Sequence, residues 1–226
     1  MRTTDPDFLN YLKTGSMELT ENLGIPKVRG VRFKNLDSVK LLGFNYCTNL
    51  GNLEEQEDAL VHFFLPDHYI ERVWDNLDHY EAVLKLYRGI IQPDFSMYTD
   101  MPKAMQIWQY YRRMWVAQYY QARGIRVIPA PCWSDEDSFE YCFEGMPKGS
   151  CLCISTVGCV KNPFVRQAFN RGFQETLDRL KPSQLIIYGV LDDDMRMRMK
   201  GIPYVHLESE QKVRIKNYEA RVNKPN

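Results

Sequence analysis

No run of the chain approaches the roughly 20 consecutive apolar residues that a membrane-crossing helix requires, so an integral helical membrane protein is not expected. Charge of one sign is also lacking: Lys+Arg and Asp+Glu both number 29. A protein that works by neutralising phosphates usually carries a basic excess, and nothing global in this composition supports that role. The six cysteines include no C-x-x-C pair, the spacing that structural zinc sites normally use. No glycine-rich phosphate loop follows the first predicted strand, which removes the fingerprint of a dinucleotide fold. There is no internal repeat. The opening Met1-Arg2-Thr3-Thr4-Asp5-Pro6-Asp7 is acidic and contains a proline where a secretory signal needs a basic and then an apolar stretch. The expectation is a cytoplasmic protein with reduced thiols.

What the sequence does have suits one folded unit. Hydrophobic residues make up 44% of 226, enough for a sizeable core within the usual size of a single domain. Residues 1–36 are mixed and polar, interrupted by Gly15, Gly24, Pro26 and Gly30. They read as an extension that wraps the domain, with a short helix near Phe8–Leu12. Residues 37–210 form the expected α/β domain, and 211–226 a loose, polar, mildly basic tail.

A strand–helix rhythm starts near residue 40. Short continuous apolar runs are what strands buried on both faces look like. They occur at Leu41–Tyr46, Ala59–Leu65, Ile90-Ile91, Ile125–Ala130, Cys151–Val157, Gln184–Gly189 and Pro203–Leu207. Between them lie helical patterns. Pro66-Asp67-His68 opens one that carries Ile70, Val73, Trp74 and Leu77, with a possible break before Val83, Leu84 and Tyr87. Asp100 as N-cap and Pro102 in the first turn open a long helix with a predicted buried stripe of Met105, Trp108, Tyr111, Trp115, Tyr119 and Ala122. On that reading Arg112 and Arg113 form its solvated edge. Ser134 is positioned to cap a short helix through Phe139 and Phe143. Pro163 begins a helix whose apolar face is Phe164, Val165, Ala168, Phe169, Phe173, Leu177 and Leu180.

Alternating strands and helices imply a mainly parallel sheet with right-handed crossovers. The segments 61–65, 125–130, 151–157 and 184–189 are then neighbours or near neighbours. A TIM-barrel-like or incomplete (β/α) barrel is favoured over an open doubly wound sheet, because polar residues gather at the ends of several different strands.

In such folds chemistry sits beyond the C-terminal strand ends. Those positions hold Asn45, Asp67, Asp94, Ser96, Trp133, Ser155, Thr156 and Tyr188. Asp94 follows Pro93 directly at a strand end, where a carboxylate can serve as general base, nucleophile or hydrogen-bond acceptor for a ligand. The competing reading is a turn cap. Ser96 and Asp67 are expected to assist Asp94, with Trp133 and Tyr188 as stacking walls and Ser155, Thr156 and Asn45 as ligand contacts. Asp67 is equally placed to cap a helix, and His62 reads as a core histidine. Cys151 and Cys153, two apart in a strand, point to one side as small core residues. No metal site is expected, and Asp192-Asp193-Asp194 reads as a loop entering a charged helix.

A set of motifs also carries a resemblance. It includes Val61-His62-Phe63-Phe64, Pro93-Asp94-Phe95-Ser96-Met97-Tyr98, Asp100-Met101-Pro102, Gln106-Ile107-Trp108, Val127-Ile128-Pro129, Trp133-Ser134 and Ser155-Thr156-Val157-Gly158. Through about residues 38–190 the chain resembles a family of bacterial, phage and mobile-element proteins named only as a domain of unknown function. The resemblance implies a phage, prophage or plasmid setting. It marks Asp94, Phe95, Ser96, Asp100, Trp133, Ser155 and Thr156 as pattern positions, and it supplies no activity or cofactor. Two functions stay open on this reading. One is an enzyme acting on a nucleotide or nucleic acid, with glycosidic-bond or base-transfer chemistry suggested by fold analogy alone. The other is a non-catalytic protein that binds nucleic acid, a signalling nucleotide or a host partner.

Overall fold

Seven short strands carry the architecture of the computed structural model, which describes residues 9–48, 58–159, 162–213, 215 and 218. The strands are β1 (Lys40–Gly43), β2 (Ala59–His62), β3 (Gly89–Ile91), β4 (Val127–Ile128), β5 (Cys151–Ser155), β6 (Gln184–Tyr188) and β7 (Tyr204–Leu207). Between them run helices α1 (Asp67–Asp75), α2 (Leu77–Leu84), α3 (Lys103–Ala122), α4 (Pro163–Leu180) and α5 (Asp193–Arg198). Every strand pairing is parallel. One sheet has the order β1-β2-β3-β4 and the other β5-β6-β7. The two meet where the Cys153 amide donates to the Pro129 carbonyl at 2.9 Å. Strand order is sequential in both sheets, without the reversal that defines a doubly wound switch point.

Alternation along the strands explains why their sequences are apolar throughout. Leu60, Ile91, Ile128, Cys151, Cys153 and Ile186 belong to one buried cluster, to which Leu41, Val205 and Leu207 add. Their neighbours Val61, Ile90, Val127, Leu152, Ile154, Leu185 and Ile187 belong to a second cluster with the helices. Successive side chains point to opposite faces, and both faces are buried. The first cluster draws on all seven strands and also takes in Phe33, Leu36 and Val39 from the segment before β1. Phe33 is tied to β6 at both backbone groups: its amide donates to Gln184 Oε1 at 2.8 Å, and its carbonyl accepts from Gln184 Nε2 at 2.9 Å.

No ladder joins β7 to β1 among the described residues. A carboxylate bridges that side instead. Glu210, just past β7, accepts from the Gly43 amide at the end of β1 at 2.7 Å, and its Oε1 lies 3.4 Å from His62 Nε2. The Glu210 amide in turn donates to the Tyr188 hydroxyl at 3.0 Å.

Several local expectations are corrected. The helix at 103–122 starts after Pro102, which occupies the cap position, and Asp100 does not cap it. Its stripe is also rotated. Met105 is 52% exposed and Trp108 37%, whereas Arg112 and Arg113 are buried. The two arginines turn toward Glu71 and Asp94, and α3 is covered on its outer side as well. Trp115 Nε1 donates to Thr14 Oγ1 at 2.9 Å, Gln118 Nε2 to the Glu18 carbonyl at 3.1 Å, and the Arg29 amide to Gln121 Oε1 at 2.8 Å. A helix packed on both sides has no solvated edge along its middle turns, and amphipathic spacing cannot reveal that. The short helix after β4 is a 3-10 turn, Glu136–Glu140. Asp135 caps it rather than Ser134, accepting from the Ser138 amide. The predicted turn near Phe8–Leu12 falls partly outside the described residues, and the described one is Tyr11–Ser16. Most of 211–226 also lies outside them.

Trp115 is fully buried, edge-on to Trp74 at 5.4 Å and stacked on Tyr119 at 5.2 Å. Trp115→Ala is expected to cost about 3–5 kcal/mol in denaturant unfolding, as large aromatic truncations in a core do. An unchanged midpoint would contradict this packing.

Candidate functional site

The segment leaving β3 is held from three sides. Asp94 pairs through Oδ1 with Nη1 of Arg113, a side chain of α3 with no solvent exposure, while Asp94 itself is 30% exposed. Arg113 also donates through Nη2 to the Ala130 carbonyl at 2.8 Å and through Nη1 to the Phe95 carbonyl at 3.4 Å. The next residue on the helix, Arg112, forms a bidentate pair with Glu71 of α1 at 2.6 and 2.9 Å. Its guanidinium lies 4.0 Å from the centroid of the Phe95 ring. From the third side the Asp67 carboxylate accepts from the Ser96 hydroxyl at 2.8 Å and from the Ser96 amide at 3.2 Å. The Nη1–Oδ1 contact thus anchors one carboxylate oxygen of Asp94 to a fully buried guanidinium.

Asp94 lines a cavity of about 300 Å³ at the C-terminal ends of β3, β4 and β5. Trp133, Phe64, Phe164 and Phe169 give it an aromatic wall, and Ser155, Thr99 and Cys132 give it polar points. The Trp133 ring packs on Phe169 at 5.5 Å between centroids. It lies so close to α4 that a Cβ on Gly172 would sit 2.2 Å from the indole. Glycine at 172 is therefore what admits the indole against the helix. Ser155 Oγ accepts from the Val157 amide at 3.3 Å, and its own proton has no partner among the described residues.

The residues expected from the sequence are distributed unevenly. Asp94, Trp133 and Ser155 share the cavity. Ser96 and Asp67 satisfy each other and do not line it. Thr156 is buried, with its hydroxyl donating to the Val190 carbonyl at 2.9 Å and accepting from the Val190 amide at 2.6 Å, so it staples the loops after β5 and β6. Tyr188 packs on His62 and Phe64 at 4.7 and 5.4 Å and lines a different cavity, between β1 and β7. Asn45 lines neither cavity. The carboxylate of Asp94 goes to a helix rather than to its own turn. Asp192 accepts from the Met195 amide as the cap of α5 and pairs with Arg166. Among the described residues no three His, Cys, Asp or Glu side chains are grouped so as to hold a metal ion.

Arg113 is the main residue that the sequence reading misplaced. It shares a helical stripe with Gln106, Tyr110 and Ala117, all buried, and an arginine on such a stripe requires a buried partner. The two cavity thiols carry no negative charge near neutrality. Burial pushes Cys132 up to about 11 against the pull of the Arg113 charge, and burial pushes Cys159 up to about 12. Thiolate nucleophilic chemistry is therefore not what this cavity offers at neutral pH.

The fold and cavity define an α/β protein with a ligand-sized pocket at its strand ends. The chain belongs to the family described as a domain of unknown function, DUF4417, whose model matches residues 17–206. That span is wider at both ends than the 38–190 read from the motifs, and it includes most of the segment before β1, in keeping with the burial of Phe33 and Leu36. The chain is 40% identical over 137 residues to the Gene 1 protein of Mycobacterium phage L5, covering 60% of this chain and 60% of that one. It is 38% identical over 139 residues to the Gene 1 protein of Mycobacterium phage D29, covering 61% of this chain and 52% of that one. The chain thus spans about half to three-fifths of the length of these phage relatives. No solved structure matches it.

Two outcomes test the site geometry. Gly172→Ala should displace Trp133 and lower stability by about 1–3 kcal/mol, the usual cost of overpacking. A wild-type melting curve with an unmoved indole signal would contradict it. Alkylation of Cys132 in the folded protein should stay slow at pH 8 and accelerate only as pH approaches 11, because the raised value keeps the thiol protonated below it. Labelling at the rate of an unfolded control at pH 8 would refute this.

Proposed function

We propose that this protein binds a small planar ligand in the cavity beside Asp94, and that it does so as a nucleotide- or nucleic-acid-directed protein of phage origin acting in the host cytoplasm. The observation that carries the reading is the fixed carboxylate. An exposed strand-end aspartate would need no fully buried arginine behind it. Holding one there costs desolvation that a merely structural loop could avoid. What the pair achieves is an acceptor held in one direction against an aromatic wall, the combination that ligand pockets use. We further propose that the seven strands are arranged as an incomplete barrel. Their sequential parallel order, the Cys153–Pro129 link and the Glu210 bridge all support that arrangement, and it places the cavity at the customary mouth of the fold.

Binding is a better description of this site than catalysis. Asp94 has one oxygen committed to Arg113, Ser96 and Asp67 are paired with each other, and the cavity thiols are protonated. These are features of a recognition pocket. The phage relatives support a phage setting for it.

Native mass spectrometry of the protein purified from cells tests the proposal. A stoichiometric small molecule should be retained by the wild type and lost in Trp133→Ala and in Asp94→Asn. The asparagine amide oxygen can still accept from Arg113, so the second variant should keep its fold by circular dichroism. Equal retention by both variants would place the ligand elsewhere and retire the site.

A further inference from the structure

The cavity's charge balance selects the kind of ligand it can take, on the reading that it is a binding site. Among the described residues lining it there is no lysine, arginine or histidine, and Asp94 is the one acidic side chain. The nearest guanidinium, that of Arg113, is unavailable. It has no solvent exposure, and its terminal nitrogens are occupied by Asp94, the Phe95 carbonyl and the Ala130 carbonyl. A phosphate or carboxylate entering this space would lose its hydration and meet a negative group with no cation to receive it among the described lining residues.

We infer that the part of the ligand seated in the cavity is a neutral or cationic planar ring bearing N–H donors, a nucleobase-like or amidine-like group rather than a sugar phosphate or an acid. An ionised carboxylate accepts only, so the ligand must supply donors to Asp94. Ser155 Oγ already accepts from the Val157 amide, which leaves its proton for an acceptor on the same ligand. The aromatic wall suits a flat ring, and a cation gains further from the faces of Trp133 and Phe64. At about 300 Å³ the space lies at the small end of ligand pockets, the size of a one- or two-ring group rather than a complete dinucleotide. Any phosphate attached to such a ring therefore stays outside, in solvent.

Three isosteric probes separate charge from shape: benzamidine, benzamide and benzoate, titrated into the full chain while the indole N–H resonance of Trp133 is followed by NMR. Benzamidine is expected to bind at least tenfold more tightly than benzoate, with benzamide between them. Asp94→Asn should erase the preference, whereas Tyr188→Phe, in the other cavity, should leave it unchanged. Guanosine should perturb the same resonance, and adding a 5′-phosphate to it should not strengthen binding. Benzoate binding as tightly as benzamidine would overturn the charge inference while leaving the cavity a ligand site. Failure of all probes, guanosine included, to move the Trp133 resonance would overturn the binding reading itself. If Asp94→Asn fails to fold, Ser155→Ala serves instead, and it should weaken benzamide more than benzamidine.

Discussion

A fully buried arginine cannot stand alone in a protein interior, and the organisation around the cavity follows from how the terminal nitrogens of Arg113 are partnered. Its partners come from two strand ends. Asp94 and the Phe95 carbonyl follow β3, and the Ala130 carbonyl follows β4. One side chain from α3 thereby sets the exits of two adjacent strands relative to the helix that covers them. Removing a charge partner from such a pair leaves an uncompensated group in low dielectric, which is what makes the arrangement specific rather than simply stabilising. Gln92 performs a neutral version of the same task, accepting from the Ala130 amide at 3.0 Å.

Around that pair, polar and aromatic groups divide by position. Arg112 faces the other way, on Glu71 and the Phe95 ring, and so anchors α1 to the segment that carries Asp94. Asp67 takes up Ser96. Each of these interactions removes a polar group from the list of those available to a ligand. What remains open on the cavity side includes the carboxylate of Asp94, the proton of Ser155, the Thr99 hydroxyl and the ring faces. The site is thus defined as much by which groups are already satisfied as by which residues are near.

Much of the fold was legible in the sequence because its strands are buried on both faces, and continuous apolar runs such as Ala59–His62 and Gln184–Tyr188 are hard to misread. The mouth positions were legible for the same reason, since a strand's end predicts where its next polar residue sits. Which of those residues share one cavity was not legible. Thr156 and Ser155 are adjacent in sequence, yet one staples a loop and the other lines the cavity, a difference of a single reversal in side-chain direction. Tyr188 shares the face of its register partner Ser155, but its ring packs on His62 and Phe64 and lines the cavity beside β1 instead. Arg113 was assigned to solvent because spacing alone assumes one covered face, and α3 has two. Its signal was present, as a cation on the stripe of Tyr110 and Ala117, but only the three-dimensional approach of the β3 and β4 exits, with Asp94 and the Phe95 and Ala130 carbonyls, turns that signal into burial.

Arg113 and Asp94 act as one unit, and a double-mutant cycle on folding stability tests this most directly. Arg113→Met, Asp94→Ala and the double variant should show a coupling energy of about 2–3 kcal/mol, the upper range for charged groups in contact. The double variant would then be more stable than the sum of the two losses predicts. Effects that add to within about 0.5 kcal/mol, as they do for independent sites, would contradict it.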